Sequence, residues 1–308
     1  MSSVQSRKRI VVTQNMGFHP NQIERLKSLG DGTFYTDSPK SPEEWVKRCG
    51  GADIVCSGKF GLEQRIYDVK NTFFSLPFVG VGWLDKTKLK ENNITVSYCP
   101  GCNKDAVSEW IVAMMLNLLR QFPTFINASR LPKGATARGA LGLSGKKVCI
   151  LGIGNVGSRT GGICEAFDMN VTTFRRGDDL IQRAEDADIV IDCLSANPTS
   201  HGLLDRKFFN SLKKGSYFIT VTDPKICDIE ALLEALDNGP LAVAAHDGAA
   251  LQTGDMDNPF YQRLLKHPKV LVTPHVAYFT DVTVRVRNDM MIGNVEAWLR
   301  GRPINLIE

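Results

Sequence analysis

The run Gly152-Ile153-Gly154-Asn155-Val156-Gly157 follows the apolar stretch Val148-Cys149-Ile150-Leu151 and leads into a helix-forming segment. A strand, a G-x-G-x-x-G turn and a helix in that order make a dinucleotide cradle. Gly152 permits the tight turn, Gly154 lets a pyrophosphate approach the backbone, and Gly157 lets helix and strand pack closely. The N–H groups of Asn155 and Val156, at the start of the helix, then hold phosphate oxygens. The next strand, Val171-Thr172-Thr173-Phe174, runs into Arg175-Arg176. An NAD site carries an acidic residue there, about twenty residues beyond the glycines, to accept from the ribose hydroxyls. Two guanidiniums suit a 2′-phosphate and give a diol no acceptor. NADP is therefore the expected cofactor, with NAD as the alternative.

Two further stretches carry reactive side chains. In Gly215–Asp228, residues Tyr217, Phe218, Ile219 and Val221 suit a buried strand, which Asp223 and Pro224 then stop. Ligands of open α/β sheets sit at the C-terminal ends of the strands, so Asp223 is a candidate ligand contact. Cys99-Pro100-Gly101-Cys102 has the C-x-x-C spacing of a redox pair. No second pair and no nearby pair of histidines accompanies it, and Pro-Gly reads as a turn before a helix. A structural role is expected for these two thiols, and no metal site.

The elements that position these residues fall into two groups. Residues 1–98 alternate short strands and single helices: RIVVT, GTFYT, ADIVCS, FVGVG and ITVSY are the expected strands. Single helices between strands imply a parallel sheet. A stretch of about twenty residues with an apolar face, DAVSEWIVAMMLNLLRQFPTF, reads as one helix ending at Pro123 and bridging two domains. The alternation restarts at Lys146 and continues to VLVTPH; a last helix over 281–300 is expected to return to the first domain. The fold class expected is α/β, two doubly wound parallel-sheet domains: a flavodoxin-like substrate domain (1–98 and 281–308) and a Rossmann-type NAD(P)-binding domain (99–280).

At 308 residues the chain exceeds what one core serves efficiently, and its 43% hydrophobic and 23% charged residues describe a soluble globular protein. The net charge of +4 is small and the basic residues are scattered, which argues against a nucleic-acid surface. No run approaches the roughly 18 apolar residues of a membrane span, and no signal-peptide core precedes the first strand. Most of the eight cysteines sit in apolar patterns, as reduced buried thiols do, so a cytoplasmic location is expected.

With LGIGNVG, FVGVG, ITVSYCPG followed by AVSEW, ADIVIDCLSANPTSHGLLD, DIEALLEAL, AVAAHD and VLVTPH in this order, the chain resembles the D-isomer specific 2-hydroxyacid dehydrogenase family over nearly its whole length. That family includes the glyoxylate/hydroxypyruvate reductases and the phosphoglycerate dehydrogenases. The resemblance implies hydride transfer between nicotinamide and C2 of a 2-keto or 2-hydroxy acid, and a homodimer through the cofactor domain. A histidine after Thr-Pro handles the proton, a glutamate orients that histidine, and an arginine clamps the substrate. His275 matches the histidine. Cys193, Leu194, Val221, Thr222, Asp247 and His275 fall on cofactor contacts.

The other two catalytic positions depart from the family. Its Ala-Arg-Gly falls on Thr222-Asp223-Pro224, and its glutamate position falls on Gln252. Asp223 would repel a carboxylate that an arginine fork would hold, and Gln252 orients an imidazole without stabilising its charged form. Three readings follow. The substrate carries a cationic amine or imine that Asp223 pairs with; or an ordinary 2-keto acid is held by the Val81 and Gly82 amides and Lys59; or the chain is a catalytically inactive dinucleotide-binding sensor or scaffold. The first two make it an NAD(P)-dependent oxidoreductase acting on a small molecule.

Overall fold

The computed structural model describes residues 7–128, 139–222, 225–248 and 259–307. Packing divides the chain into two units, one running through Asn103 and resuming at Thr280, the other Lys104–Phe279.

In the first unit, strands β1 (Arg9–Val12), β2 (Asp31–Phe34), β3 (Ile54–Cys56), β4 (Phe73–Ser75) and β5 (Thr95–Ser97) form a parallel sheet of order β2-β1-β3-β4-β5. This is the flavodoxin-like order. Helices α1 (Pro20–Leu29), α2 (Pro42–Cys49), α3 (Leu62–Arg65) and α4 (Lys86–Glu91) connect the strands. One face of the sheet packs Val11, Val55 and Phe74 against Trp45 and Leu62, while Ile10, Val12, Ile54 and Phe73 pack on the other.

FVGVG is not a strand. The strand lies five residues earlier, because Phe73, Phe74 and Ser75 are the buried extended residues, whereas Pro77, Gly80 and Gly82 break the ladder that follows.

The second unit begins with α5 (Lys104–Leu119) and α6 (Phe122–Ala128). The single helix ending at Pro123 is thus two. The break is Gln121, at φ 52°, and Pro123 sits in the first turn of α6, where a missing N–H costs nothing. The sheet comprises β6 (Lys147–Leu151), β7 (Asn170–Phe174), β8 (Ile189–Asp192), β9 (Ser216–Thr220), β10 (Leu241–Asp247) and β11 (Val270–Thr273), all parallel, in the order β11-β10-β9-β8-β6-β7. Around it lie α7 (Asn155–Ala166), α8 (Leu180–Ala184), α9 (Arg206–Ser211), α10 (Ile229–Asp237) and α11 (Pro259–Lys266).

Order reverses between β6 and β8, so the ligand crevice of this sheet lies outside the C-terminal ends of those two strands. Among the described residues no strand pairs beyond β7, which leaves β7 as an edge. Alternate strand residues feed two cores. Val190 and Phe218 join Phe208, Phe209 and Leu232 on one face; Ile191, Ile219 and Ala245 join Ile111, Met115 and Cys164 on the other.

Helix α12 (Asp281–Leu299) belongs to the first unit, where Met291, Ile292 and Val295 are buried. No helix among the described residues is long and apolar enough to cross a membrane. All eight cysteines are free. Burial pushes the Cys102 thiol up to about 11, and Cys99 still higher, with its Sγ donating to the Arg287 carbonyl at 3.4 Å. Thiols so far from ionisation are poor nucleophiles.

Candidate active site

Strand β6 delivers the chain to Gly152, whose φ of 88° a side-chain-bearing residue rarely adopts. A Cβ there would meet the Cys193 carbonyl oxygen at 3.0 Å. The turn after β6 therefore rests on the turn after β8. A Cβ on Gly157 would lie 1.9 Å from the Gly152 oxygen, so helix α7 packs this close only over a glycine. At Gly154 an added Cβ would meet nothing within 4 Å, which leaves an open shelf at the helix start.

Helices α2, α4, α8, α9 and α10 each begin at a serine or aspartate whose side chain accepts from the first turn. Helix α7 begins at Gly154 with no such acceptor. Its first N–H groups, Asn155 and Val156 among them, are left to an outside anion, and the helix dipole favours one. The glycines and the uncapped helix fit a dinucleotide pyrophosphate.

The turn after β7 adjoins this shelf, since the Gly152 N–H donates to the Phe174 carbonyl at 3.1 Å. Arg175 and Arg176 follow, both exposed. Arg176 reaches the Thr199 hydroxyl at 3.3 Å. Two aspartates come next, but both are engaged by the chain. Asp178 accepts from the Arg175 N–H at 3.0 Å and pairs with Arg183, while Asp179 accepts from the Gln182 N–H and caps α8.

At the end of β10 stands Asp247, 2% exposed. One carboxylate oxygen accepts from the Thr273 hydroxyl at 2.5 Å and the Val276 N–H at 2.9 Å; the other accepts from the Ala277 N–H at 2.9 Å. These bonds bracket His275, which sits at φ 52° with its ring edge-on to Tyr278, centroids 5.3 Å apart. A left-handed non-glycine costs about 1 kcal/mol and persists only where its surroundings dictate it. Asp247, expected among the cofactor contacts, has this task besides: it fixes the loop that carries His275.

The structure thus gathers Gly152, Gly154, Asn155, Val156, Gly157, Arg175, Arg176, Cys193 and Leu194 at one edge of one sheet, with Val221 and Thr222 following β9, Asp247 closing β10 and His275 following β11 at the same edge. Asp223 and Gln252 lie outside the described residues. Lys59, Val81 and Gly82 belong to the other unit. Lys59 is exposed and pairs with Glu63 at 3.1 Å, so a substrate carboxylate would have to compete for it. Among the described residues no hydrogen bond takes the Val81 or Gly82 N–H. Both residues line a cavity of about 510 Å³ with Leu84, Lys86, Tyr98 and Asn305–Ile307.

Sequence reasoning missed three buried polar residues at the same edge: Asp192, Thr220 and His246, exposed by 0%, 1% and 3%. Register places Asp192 beside Thr220 and Thr220 beside His246. Burial pushes the His246 imidazole down to about 4, so it is neutral at pH 7. The signal was available: IVID ends an apolar strand on a carboxylate, and the neighbouring TVT places hydroxyls on alternate residues of one face.

A parallel sheet with a glycine cradle at its switch point, two guanidiniums beyond it and a histidine held at the same edge defines a nicotinamide-dinucleotide oxidoreductase. The family profile "D-isomer specific 2-hydroxyacid dehydrogenase, NAD binding domain" matches residues 112–277, and the chain belongs to that family. It is 28% identical over 260 residues to the D-lactate dehydrogenase of Staphylococcus epidermidis, covering 76% of this chain and 79% of that one. Among solved structures it is similar to an acyclic imino acid reductase in complex with NADPH and D-Arg, at a TM-score of 0.84 and 22% identity, covering 97% of this chain and 100% of that one. D-2-hydroxyisocaproate dehydrogenase is similar at a TM-score of 0.79 and 21% identity, covering 97% and 99%.

Proposed function

We propose that this oxidoreductase is an NADP-dependent reductase of a small C=N substrate, an imine or iminium derived from a keto acid. The observation that carries the reading is Asp223 in the position of the family's arginine. An arginine repels an iminium and holds a carboxylate; an aspartate does the reverse. When bound, the reduced nicotinamide would supply hydride to the C=N carbon; the C=N π pair then becomes the nitrogen lone pair, which takes up a proton to give the ammonium. Asp223 pairs with the positive nitrogen before and after transfer. His275, on its Asp247-held loop, holds or supplies a proton at that nitrogen, and Gln252 orients it. Residues 104–279 act as the cofactor domain and the first unit as the substrate domain. A homodimer through the cofactor domain is the assembly that membership of the family supports.

The preference for NADP is supported by the engagement of both nearby aspartates and the exposure of both arginines. The imino acid reductase named above, solved with NADPH and D-Arg, makes that cofactor and the keto acid of a basic amino acid the first compounds to assay. The test is NADPH oxidation across keto acids with and without ammonia or methylamine. Turnover is expected only with the amine present, and Asp223→Arg should shift activity toward the free keto acid. Faster reduction of the free keto acids by the parent protein would refute the imine reading. No turnover on any substrate, with tight NADPH binding, would favour the sensor.

A further inference from the structure

We infer that Asp192 is a positioning residue that sets the nicotinamide end of the cofactor cradle by tying two strand-end turns together. One carboxylate oxygen accepts from the Leu194 N–H at 3.1 Å, in the turn after β8. The other accepts from the Thr220 hydroxyl at 2.9 Å and the Thr222 hydroxyl at 2.5 Å, at the end of β9. The backbone adds a Val221 N–H to Asp192 carbonyl contact at 3.4 Å. Cys193, Leu194, Val221 and Thr222, which flank these contacts, are among the residues that the family resemblance assigns to the cofactor.

Stability does not account for a carboxylate at this place. It is fully buried, and among the described residues no lysine, arginine or histidine forms an ion pair with it. A buried unpaired carboxylate is costly, and the apolar side chains of the surrounding core would fill the same space without that cost. What an apolar residue cannot supply is three acceptor contacts reaching two separate turns. Asp192 touches no ligand itself, being 0% exposed; it acts through Leu194 and Thr222.

The inference rests on the cofactor reading above, and its test separates the two. NADPH spans the whole cradle, whereas adenosine 2′,5′-bisphosphate occupies only the adenine half. Asp192→Ala and Thr222→Val should each weaken NADPH about ten-fold, the scale of one hydrogen bond to a charged group, and leave the bisphosphate within two-fold. The double variant should be no weaker than Asp192→Ala alone, because both remove one linkage. Asp192→Asn, which keeps the size and one acceptor oxygen, should recover most of the loss. Equal weakening of both ligands, or unchanged NADPH affinity in Asp192→Ala or in Thr222→Val, would overturn the inference. Where Asp192→Ala does not fold, Thr222→Val and Asp192→Asn carry the same comparison. If the parent protein binds NADH and adenosine monophosphate instead, the NADP preference fails, and the tether is tested with that pair.

Discussion

Replacing Asp247 tests whether the loop carrying His275 is held as the geometry implies. Its carboxylate accepts from Thr273, Val276 and Ala277 at 2.5, 2.9 and 2.9 Å in a nearly water-free site. Hydrogen bonds to a charged group contribute roughly 1.5–3 kcal/mol each, and stranded buried N–H groups add their own cost. Asp247→Ala loses all three, so a loss of about 4 kcal/mol is expected after partial relaxation. Asp247→Asn keeps one acceptor oxygen for Thr273 and Val276 but turns its NH₂ toward the Ala277 N–H, for about 1–3 kcal/mol. Released from Asp247, His275 should leave its left-handed conformation at φ 52° and regain about 1 kcal/mol. A displacement of about 1 Å at a reacting group costs on the order of 100-fold in rate. Guanidinium unfolding and kcat at saturating NADPH should therefore fall in the order parent, Asp247→Asn, Asp247→Ala. An Asp247→Ala protein with the parent's midpoint and kcat would show that the loop is held by something else.

Asp192 gives the fold a pH dependence. Burial pushes its carboxyl up from the ordinary 3.8 to about 6, against the opposing hydrogen bonds, and the Cys193 and Cys227 thiols are the titratable groups that reach it. A raised folded-state pKa means that the folded chain holds the proton more tightly. The contribution is full below about pH 4 and is lost as pH rises through about 6, some 3 kcal/mol from a rise of about two pH units. Denaturation midpoints of the parent and Asp192→Asn between pH 4.5 and 7.5 should show the parent's extra slope; parallel curves would contradict it. The second and third glycines of the run should separate folding from binding. Gly157→Ala clashes with the Gly152 oxygen and should lower the melting temperature, whereas Gly154→Ala enters open space and should leave it unchanged while weakening NADPH. Arg175→Ala and Arg176→Ala should each weaken NADPH about ten-fold and leave NADH unaffected, as read by fluorescence titration.

The parts of this fold legible in the sequence were those fixed by local chemistry. The glycine spacing needs one turn and one helix, and VCIL before it is a strand whatever surrounds it. Burial decided the rest. FVGVG and FFS both look β-forming, and only the packing of Phe73 and Phe74 on opposite faces of the first sheet selects the second. Pro123 looked like a helix stop because interior proline is one; Gln121 in a left-handed conformation moved the boundary so that the proline begins a helix. The role of Asp247 toward its loop was hidden for a different reason. Its partners lie 26 to 30 residues away and two of them are backbone N–H groups, which leave no trace in side-chain patterns.

Asp192 and Asp247 belong to one arrangement. Both stand at the last residue of a strand in the same sheet, and alternation sends Asp192 to the face of Val190 and Phe218 and Asp247 to the face of Ala245. Each is buried, and each spends its acceptors on turns at the C-terminal edge, Asp192 on those after β8 and β9, Asp247 on that after β11. A parallel sheet holds its strands rigidly but leaves its ends to loops. Hydride transfer requires donor and acceptor carbons held near 3–3.5 Å, so slack in those loops enters the rate directly. Two carboxylates inside the sheet edge transmit its rigidity outward, one toward the turns after β8 and β9 and one toward the loop that carries His275. Combining Asp192→Ala with Asp247→Asn should thus give additive losses in stability, because the two share no partner, yet a more than additive loss in kcat, because both position groups around one reacting atom. Strict additivity in kcat would mean that the two turns serve separate steps.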